Sequence, residues 1–330
     1  MKKLMNDPRK FVEDFLEGIL AAYPDFYRAN SEDRKAIVRR DAKDHVSVIT
    51  GGGMGHLPLF LGYLGDGLCS GVAMGNVFST PGCDSILWVT QQVPHDRGVL
   101  YIIGNYTGDI MNFQMAAALA RKQGMDVRMV IVSDDVATAP RDEWKSRRCI
   151  SGVALIYKIA GAAAASGLSL DEVERLARYA NERLSSMGAA FTPCQLPDTQ
   201  TPIFSIGENE MELGVGIHGE PGVRRTAMMS SREIARYFFS QIVPDLQLKS
   251  GDSVAVLVNG LGATPKEELF IFYRDFAMCA NEYGLEVECR FVDQYATSLG
   301  MSGVSVSVLK LDERLAALLR EPCYSPLVHF

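Results

Sequence analysis

The alternation of apolar runs across residues 99–132 constrains the fold more than any other feature of the chain. Residues 99–103, Val-Leu-Tyr-Ile-Ile between Gly98 and Gly104, form the short unbroken run expected of a strand buried on both faces. A helix is expected over 110–123 and a second buried strand over 127–132, which completes a β-α-β unit and implies a parallel sheet. Upstream, Val46, Val48 and Ile49 predict a strand over 44–50 that runs into Gly51, Gly52 and Gly53. A strand ending in a Gly-rich turn is where open α/β sheets place their ligands.

The rest of the chain fits the same class. Phe11, Phe15, Ile19, Leu20 and Tyr23 recur at helical spacing, so 8–29 reads as a helix that covers a sheet or packs on a second subunit. Residues 65–81, rich in Gly, Ser and small apolar side chains, suggest close backbone packing around a site. Helices are expected over 83–93, 152–166 and 170–186, the last opened by a Ser169/Glu172 capping box. Residues 133–148, with Asp134, Asp135, Arg141, Lys145, Arg147 and Arg148, read as an exposed charged excursion. Over 189–217 the pattern turns to alternating residues with Pro193, Pro197 and Pro202, more like antiparallel or mixed strands. Strands at 253–258, 285–292 and 304–311 follow, with helices at 230–242 and 265–283 and a short final helix. A chain of 330 residues exceeds one ordinary core. The expected fold is therefore two α/β domains, 1–187 and 188–330, with central, largely parallel or mixed sheets flanked by helices.

Composition excludes several functions. A net charge of −7 without any Lys/Arg block argues against nucleic acid or an anionic membrane as partner. The N-terminus enters an amphipathic pattern directly, so no signal peptide is expected. The most apolar run, 156–165, is broken by Lys158 and too short to span a bilayer, so a cytoplasmic location is expected. Seven cysteines without a C-x-x-C pair read as buried free thiols. The fourteen methionines read as core filler.

Three loops carry the candidate chemistry. His218 is centred in a stretch with glycines at 214, 216, 219 and 222, which permit unusual backbone angles and close approach of a ligand. His56 follows the triple-glycine turn, and Asp109 stands at a strand-to-helix junction. Bland readings compete: His56 as a turn histidine bonded to backbone, and Thr107 or Asp109 as the N-cap of the following helix. The triple-glycine turn lacks the lysine and hydroxyl of a P-loop and is out of register for a dinucleotide turn, so a backbone cradle for a small polar ligand is favoured over nucleotide binding. No short His or Cys pairing anchors a metal, and no G-x-S-x-G elbow supports a Ser-His-Asp site.

Residues 51–58, 104–113, 209–222 and 258–265, together with the opening Met-Lys-Lys-Leu-Met-Asn and the terminal Ser-Pro-Leu, resemble the dihydroxyacetone-binding subunits of bacterial dihydroxyacetone kinases. The resemblance implies a two-domain α/β protein, usually a homodimer, that holds a short ketose such as dihydroxyacetone as a hemiaminal on Nε2 of His218. It implies that His56 and Asp109 bond the ligand's hydroxyls and serve in acid/base roles. Gly53, Met54, Gly55, Thr80 and Gly104 would complete the pocket. It also implies that ADP or ATP and Mg2+ sit on a separate helical kinase subunit, recharged in some systems by a phosphocarrier of the phosphotransferase system, with no cofactor on this chain. Two positions depart from the pattern: Leu57 stands where the family carries glutamate, and Gly104 where it carries lysine. Those exchanges admit a four-carbon ketose such as erythrulose, or a ligand-sensing coactivator that feeds no kinase.

Overall fold

Leu100 and Ile102 point to one side of their strand, Val99, Tyr101 and Ile103 to the other, and both sets are fully buried. That two-sided burial sets the architecture of the computed structural model, which describes residues 3–199 and 202–330. Met1 and Lys2 of the opening motif, and Gln200 and Thr201 within 189–217, lie outside the described residues.

The chain runs α1 (Phe11–Ala22), β1 (Tyr27–Ala29), β2 (Ala36–Arg39), β3 (Ser47–Met54), β4 (Gly71–Val77), α2 (Cys83–Gln92), β5 (Val99–Gly104), α3 (Thr107–Lys122), β6 (Val127–Val132), α4 (Val153–Ala165), α5 (Leu170–Glu182) and β7 (Leu184–Ala190). It continues through β8 (Glu210–Leu213), β9 (Arg224–Ala227), α6 (Ser231–Asp245), β10 (Ser253–Gly260), α7 (Lys266–Tyr283), β11 (Glu286–Asp293), β12 (Gly303–Lys310) and α8 (Glu313–Arg320). Two mixed six-stranded sheets result, ordered β1-β2-β4-β3-β5-β6 and β11-β10-β12-β7-β8-β9. In the first, β4-β3-β5-β6 is parallel and β1 and β2 add antiparallel. In the second only β10-β11 is parallel.

The side-chain alternation of the strands sorts the core into layers. The outer face of the first sheet packs on α2 and α3 through Ile86, Val89 and Phe113. Val254, Val256 and Val258 of β10 face α6 and α7, where Phe238, Phe272 and Phe276 fill the space. Ala255, Leu257 and Leu309 face the other way and join one core cluster with Leu100, Ile102 and α4. Accordingly α4 is buried from Val153 to Ala164 on every side, as a helix apolar all round must be. Its one charge, Lys158, donates to the carbonyls of Leu318 and Glu321 at the end of α8, satisfying groups that the helix leaves open. Gly188 lies within β7 and pairs in register with Ser305 of β12.

Two sequence expectations are corrected. The strand β4 was not anticipated, because Gly71-Val-Ala-Met-Gly75 is small rather than strand-like. Its smallness lets neighbours close in: a β-carbon at Gly75 would lie 1.8 Å from the Ser79 carbonyl oxygen. Residues 133–148 are not a wholly exposed excursion. Asp134, Asp135 and Arg147 are 0%, 0% and 1% exposed. Asp134 accepts from the backbone of Ile150 and Gly152, and Arg147 grips Asp245 through two bonds of 2.6 and 3.0 Å. Charges enter a core when partners come with them, and here the partner of Arg147 lies 98 residues along the chain.

Candidate functional site

The site forms where loops of the two sheets meet. The triple glycine ends β3, and its lack of side chains is demanded by its neighbours: a β-carbon at Gly52 would lie 2.1 Å from the Phe60 ring, and one at Gly53 2.6 Å from the Ser79 nitrogen. His56 follows, 1% exposed. Its loop is stitched to the loop after β11 by Thr297 N–H to His56 O, Leu299 N–H to Gly55 O and the Thr297 hydroxyl to Leu57 O. The ring stacks on Phe78, centroids 4.8 Å apart. Phe60, Phe78 and Leu299 around it all hold positive φ, at 68°, 54° and 38°, a backbone region non-glycine residues avoid unless the surroundings enforce it.

Nδ1 of His56 lies 2.7 Å from the Thr297 carbonyl oxygen. A carbonyl only accepts, so Nδ1 carries the proton and Nε2 presents a lone pair. Burial, reinforced by nearby His218, pushes the pKa of this ring down to about 3, so His56 is neutral at physiological pH. Its Nε2 is buried and has no hydrogen-bond partner among the described residues.

His218 comes from the loop between β8 and β9, and its ring stands edge-on to His56 at 4.7 Å and to Tyr106 at 4.8 Å. Its side chain is 24% exposed. Glu220 folds back on it: one carboxylate oxygen accepts from the backbone N–H of His218 at 2.9 Å, and the other lies 2.9 Å from Nδ1. Gly216 makes this fold-back possible, since a β-carbon there would sit 2.0 Å from the carboxylate. Burial works to raise the Glu220 pKa, but the hydrogen bond from His218 and its charge outweigh it and hold the group down at about 2. Arg148 ties this loop to the other half of the chain, bonding buried Asp135 at 2.6 Å through Nε and the Gly214 carbonyl through Nη2.

Asp109 falls in the first turn of α3, where the cap position is Tyr106 and makes no side-chain cap bond. The Asp109 carboxyl, 7% exposed, is pushed up to about 6 by burial, against the opposing pull of the Thr80 hydroxyl and of His218. Oδ1 has no partner among the described residues. Thr80 can approach because Gly108 has no side chain; a β-carbon there would lie 2.5 Å from its Oγ1.

The sequence-designated residues thus converge: His56, His218 and Asp109 with Thr80, and Gly53, Met54 and Gly55 in the turn beside them. Gly104 ends β5 with its would-be β-carbon 3.0 Å from Cys149 and 3.1 Å from the Tyr106 ring, so a side chain there would press on the tyrosine that backs His218. Leu57 lines a cavity of about 150 Å³ with Phe11, Phe15, Phe60 and Leu299, an apolar setting that suits leucine. Sequence reasoning missed Glu220, Arg148 and Asp135. The His-x-Glu spacing was a signal for the first; the other two carried none. Among the described residues, no group of three or more His, Cys, Asp or Glu side chains could hold a metal ion, and no helix is long and apolar enough to cross a membrane.

Comparison with known proteins gives a consistent answer. A "PTS-dependent dihydroxyacetone kinase 1, dihydroxyacetone-binding subunit DhaK" of Listeria innocua is 39% identical over 324 residues, covering 98% of both chains. An "L-erythrulose kinase" of Pectobacterium atrosepticum is 36% identical, over 99% of this chain and 56% of its own length. Among solved structures, the "Dihydroxyacetone kinase operon co-activator Dha-DhaQ" superposes with a TM-score of 0.89 at 32% identity, covering 94% of this chain and 96% of its own. The Dak1 domain matches residues 17–327, and the chain belongs to the Dak1 family.

Proposed function

We propose that this chain is the ketose-binding subunit of a dihydroxyacetone-type kinase, holding its substrate as a hemiaminal on His218. The observation that carries the reading is the pair of buried acceptors without a partner among the described residues, His56 Nε2 and Asp109 Oδ1, grouped around the partly exposed ring of His218. Buried polar atoms without partners call for an explanation, and the hydroxyls of a short ketose supply one. A neutral imidazole is a competent nucleophile toward a ketone. Its Nε2 forms a bond to the carbonyl carbon, the C=O π pair moves to oxygen, and the oxyanion takes a proton from solvent. Glycerol, lacking a carbonyl, is not captured.

Asp109, titrating near 6, is ionised at neutral pH yet basic enough to receive the proton of a terminal hydroxyl as it attacks phosphorus. Gly53, Met54, Gly55, Thr80 and Gly104 line the substrate. A separate helical subunit with ADP or ATP and Mg2+ would supply the phosphoryl group, replenished in one variant by a phosphocarrier. Intact-mass spectrometry of protein incubated with dihydroxyacetone is expected to show one added ligand mass in wild type and none in His218→Ala. An unmodified wild type across a wide ligand range overturns the reading.

A second reading, a ketose-sensing coactivator, is favoured by the likeness to the operon co-activator and by Leu57 and Gly104 in place of charged residues. Turnover in the presence of the helical subunit, reduced about 100-fold or more in Asp109→Asn, supports the kinase. Capture without turnover supports the sensor. Parallel assays with erythrulose address the four-carbon alternative.

A further inference from the structure

Nothing in the reaction proposed above requires Glu220, yet the local chain is built around it. Both of its carboxylate oxygens are committed to His218, one to the backbone N–H and one to Nδ1, each at 2.9 Å. A side chain at Gly216 would displace the same carboxylate, and the Gly216 N–H closes the turn on the Glu220 carbonyl at 3.2 Å. Gly219, with φ of 81°, allows the chain to double back between the two residues. A nearby cation, the guanidinium of Arg148, favours the ionised carboxylate and is itself held by buried Asp135.

From this geometry we infer that Glu220 is the positioning residue that sets the tautomer of His218. A carboxylate accepts only, so the ring proton is fixed on Nδ1 and the Nε2 lone pair is turned out for attack. Free imidazole side chains favour the opposite tautomer, with the proton on Nε2, in which the attacking nitrogen is blocked. Glu220 acts a second time once the bond has formed. Attack by Nε2 leaves the ring cationic with its Nδ1 proton retained, and the carboxylate then forms a charge-assisted hydrogen bond with it. The adduct is therefore stabilised more than the free ring. His56 has no such device: its Nδ1 faces an uncharged carbonyl, so the two histidines cannot exchange roles.

The inference rests on the hemiaminal reading, and the experiment separates the two. Long-range 1H–15N spectra of the unliganded protein report the His218 tautomer, and capture of dihydroxyacetone labelled with 13C at the carbonyl reports the adduct through its tetrahedral carbon signal. Wild type is expected to show the Nδ1–H form and to capture ketose. In Glu220→Ala the ring should shift toward Nε2–H and the dissociation constant of the adduct should rise about tenfold or more, the scale of one hydrogen bond to a charged group. Glu220→Gln keeps the shape and one acceptor, guards against a folding defect, and should lie between the two. An Nδ1–H ring and unchanged capture in Glu220→Ala overturn the positioning role while leaving the hemiaminal intact. Failure of wild type to capture any ketose overturns both.

Discussion

At His56 the ring nitrogen Nδ1 meets a peptide carbonyl 2.7 Å away, and at His218 it meets a carboxylate 2.9 Å away. The first ring is sealed between Phe78 and Phe60 with its pKa pressed down to about 3; the second is partly open, beside a carboxylate kept ionised down to about 2. The two rings stand edge to face with centroids 4.7 Å apart. What differs is the charge each can carry: His56 is confined to its neutral form, while His218 has an anion ready to accompany a cationic ring. An identical side chain is thus given an uncharged partner in one loop and an anionic one in the other, the difference on which the proposed division into acceptor and nucleophile rests.

The contrast extends to anchoring. The His56 loop comes from the first sheet and is fastened by backbone bonds to residues 297 and 299 of the second. The His218 loop comes from the second sheet and is fastened by the Arg148 side chain of the first. Each histidine is held by the half of the chain that does not supply it.

The sharpest way to break this comparison is His56→Ala. If the rings have separate duties, turnover with the helical subunit falls by about 100-fold or more while the ketose adduct on His218 still forms by mass spectrometry. Loss of the adduct would mean that His56 shares in capture. Smaller effects are expected in stability against pH. The folded pKa of His56 lies below its ordinary 6.5, so the wild type loses stability as pH falls from about 6.5 toward 3. Asp109 has the opposite sign of dependence: its folded pKa is raised from 3.8 to about 6, so its contribution declines as pH rises through that window. Chemical denaturation should show a shallower acid loss in His56→Gln, and Asp109→Asn should be more stable than wild type above pH 6 by ~1–3 kcal/mol. Smallest is Arg148→Lys, which keeps a charge near Asp135 but loses the fork that also reaches Gly214. Adduct formation is expected to slow only a few-fold; an unchanged rate would show that the strap does not govern the loop.

Much of this was legible in the chain alone. Apolar runs marked β3, β5, β6 and β10, and the glycines marked the loops of His56 and His218, because close approach leaves a compositional trace. Asp109 was visible at its strand-to-helix junction, although as a residue inside α3 and not as its cap. The seam beneath was not legible. Asp134, Asp135, Arg147 and Arg148 sit together in a charged stretch, and charge in a sequence signals exposure unless the partner is known. Arg147 and Arg148 find partners remote in sequence, Asp245 and Gly214, while Asp134 and Asp135 are held by the nearby Ile150, Gly152 and Arg148 only because the chain folds back on itself there. Strand β4 was hidden for a different reason: its glycines answer to the atoms packed against them and not to strand propensity.

Gly216 offers a final consequence. Because a lone methyl at that position would push the Glu220 carboxylate aside, the smallest possible mutation, Gly216→Ala, is expected to weaken its hold on His218 without removing a single titratable group. A residue with no reactive atom thus governs whether the carboxylate can reach the His218 ring at all.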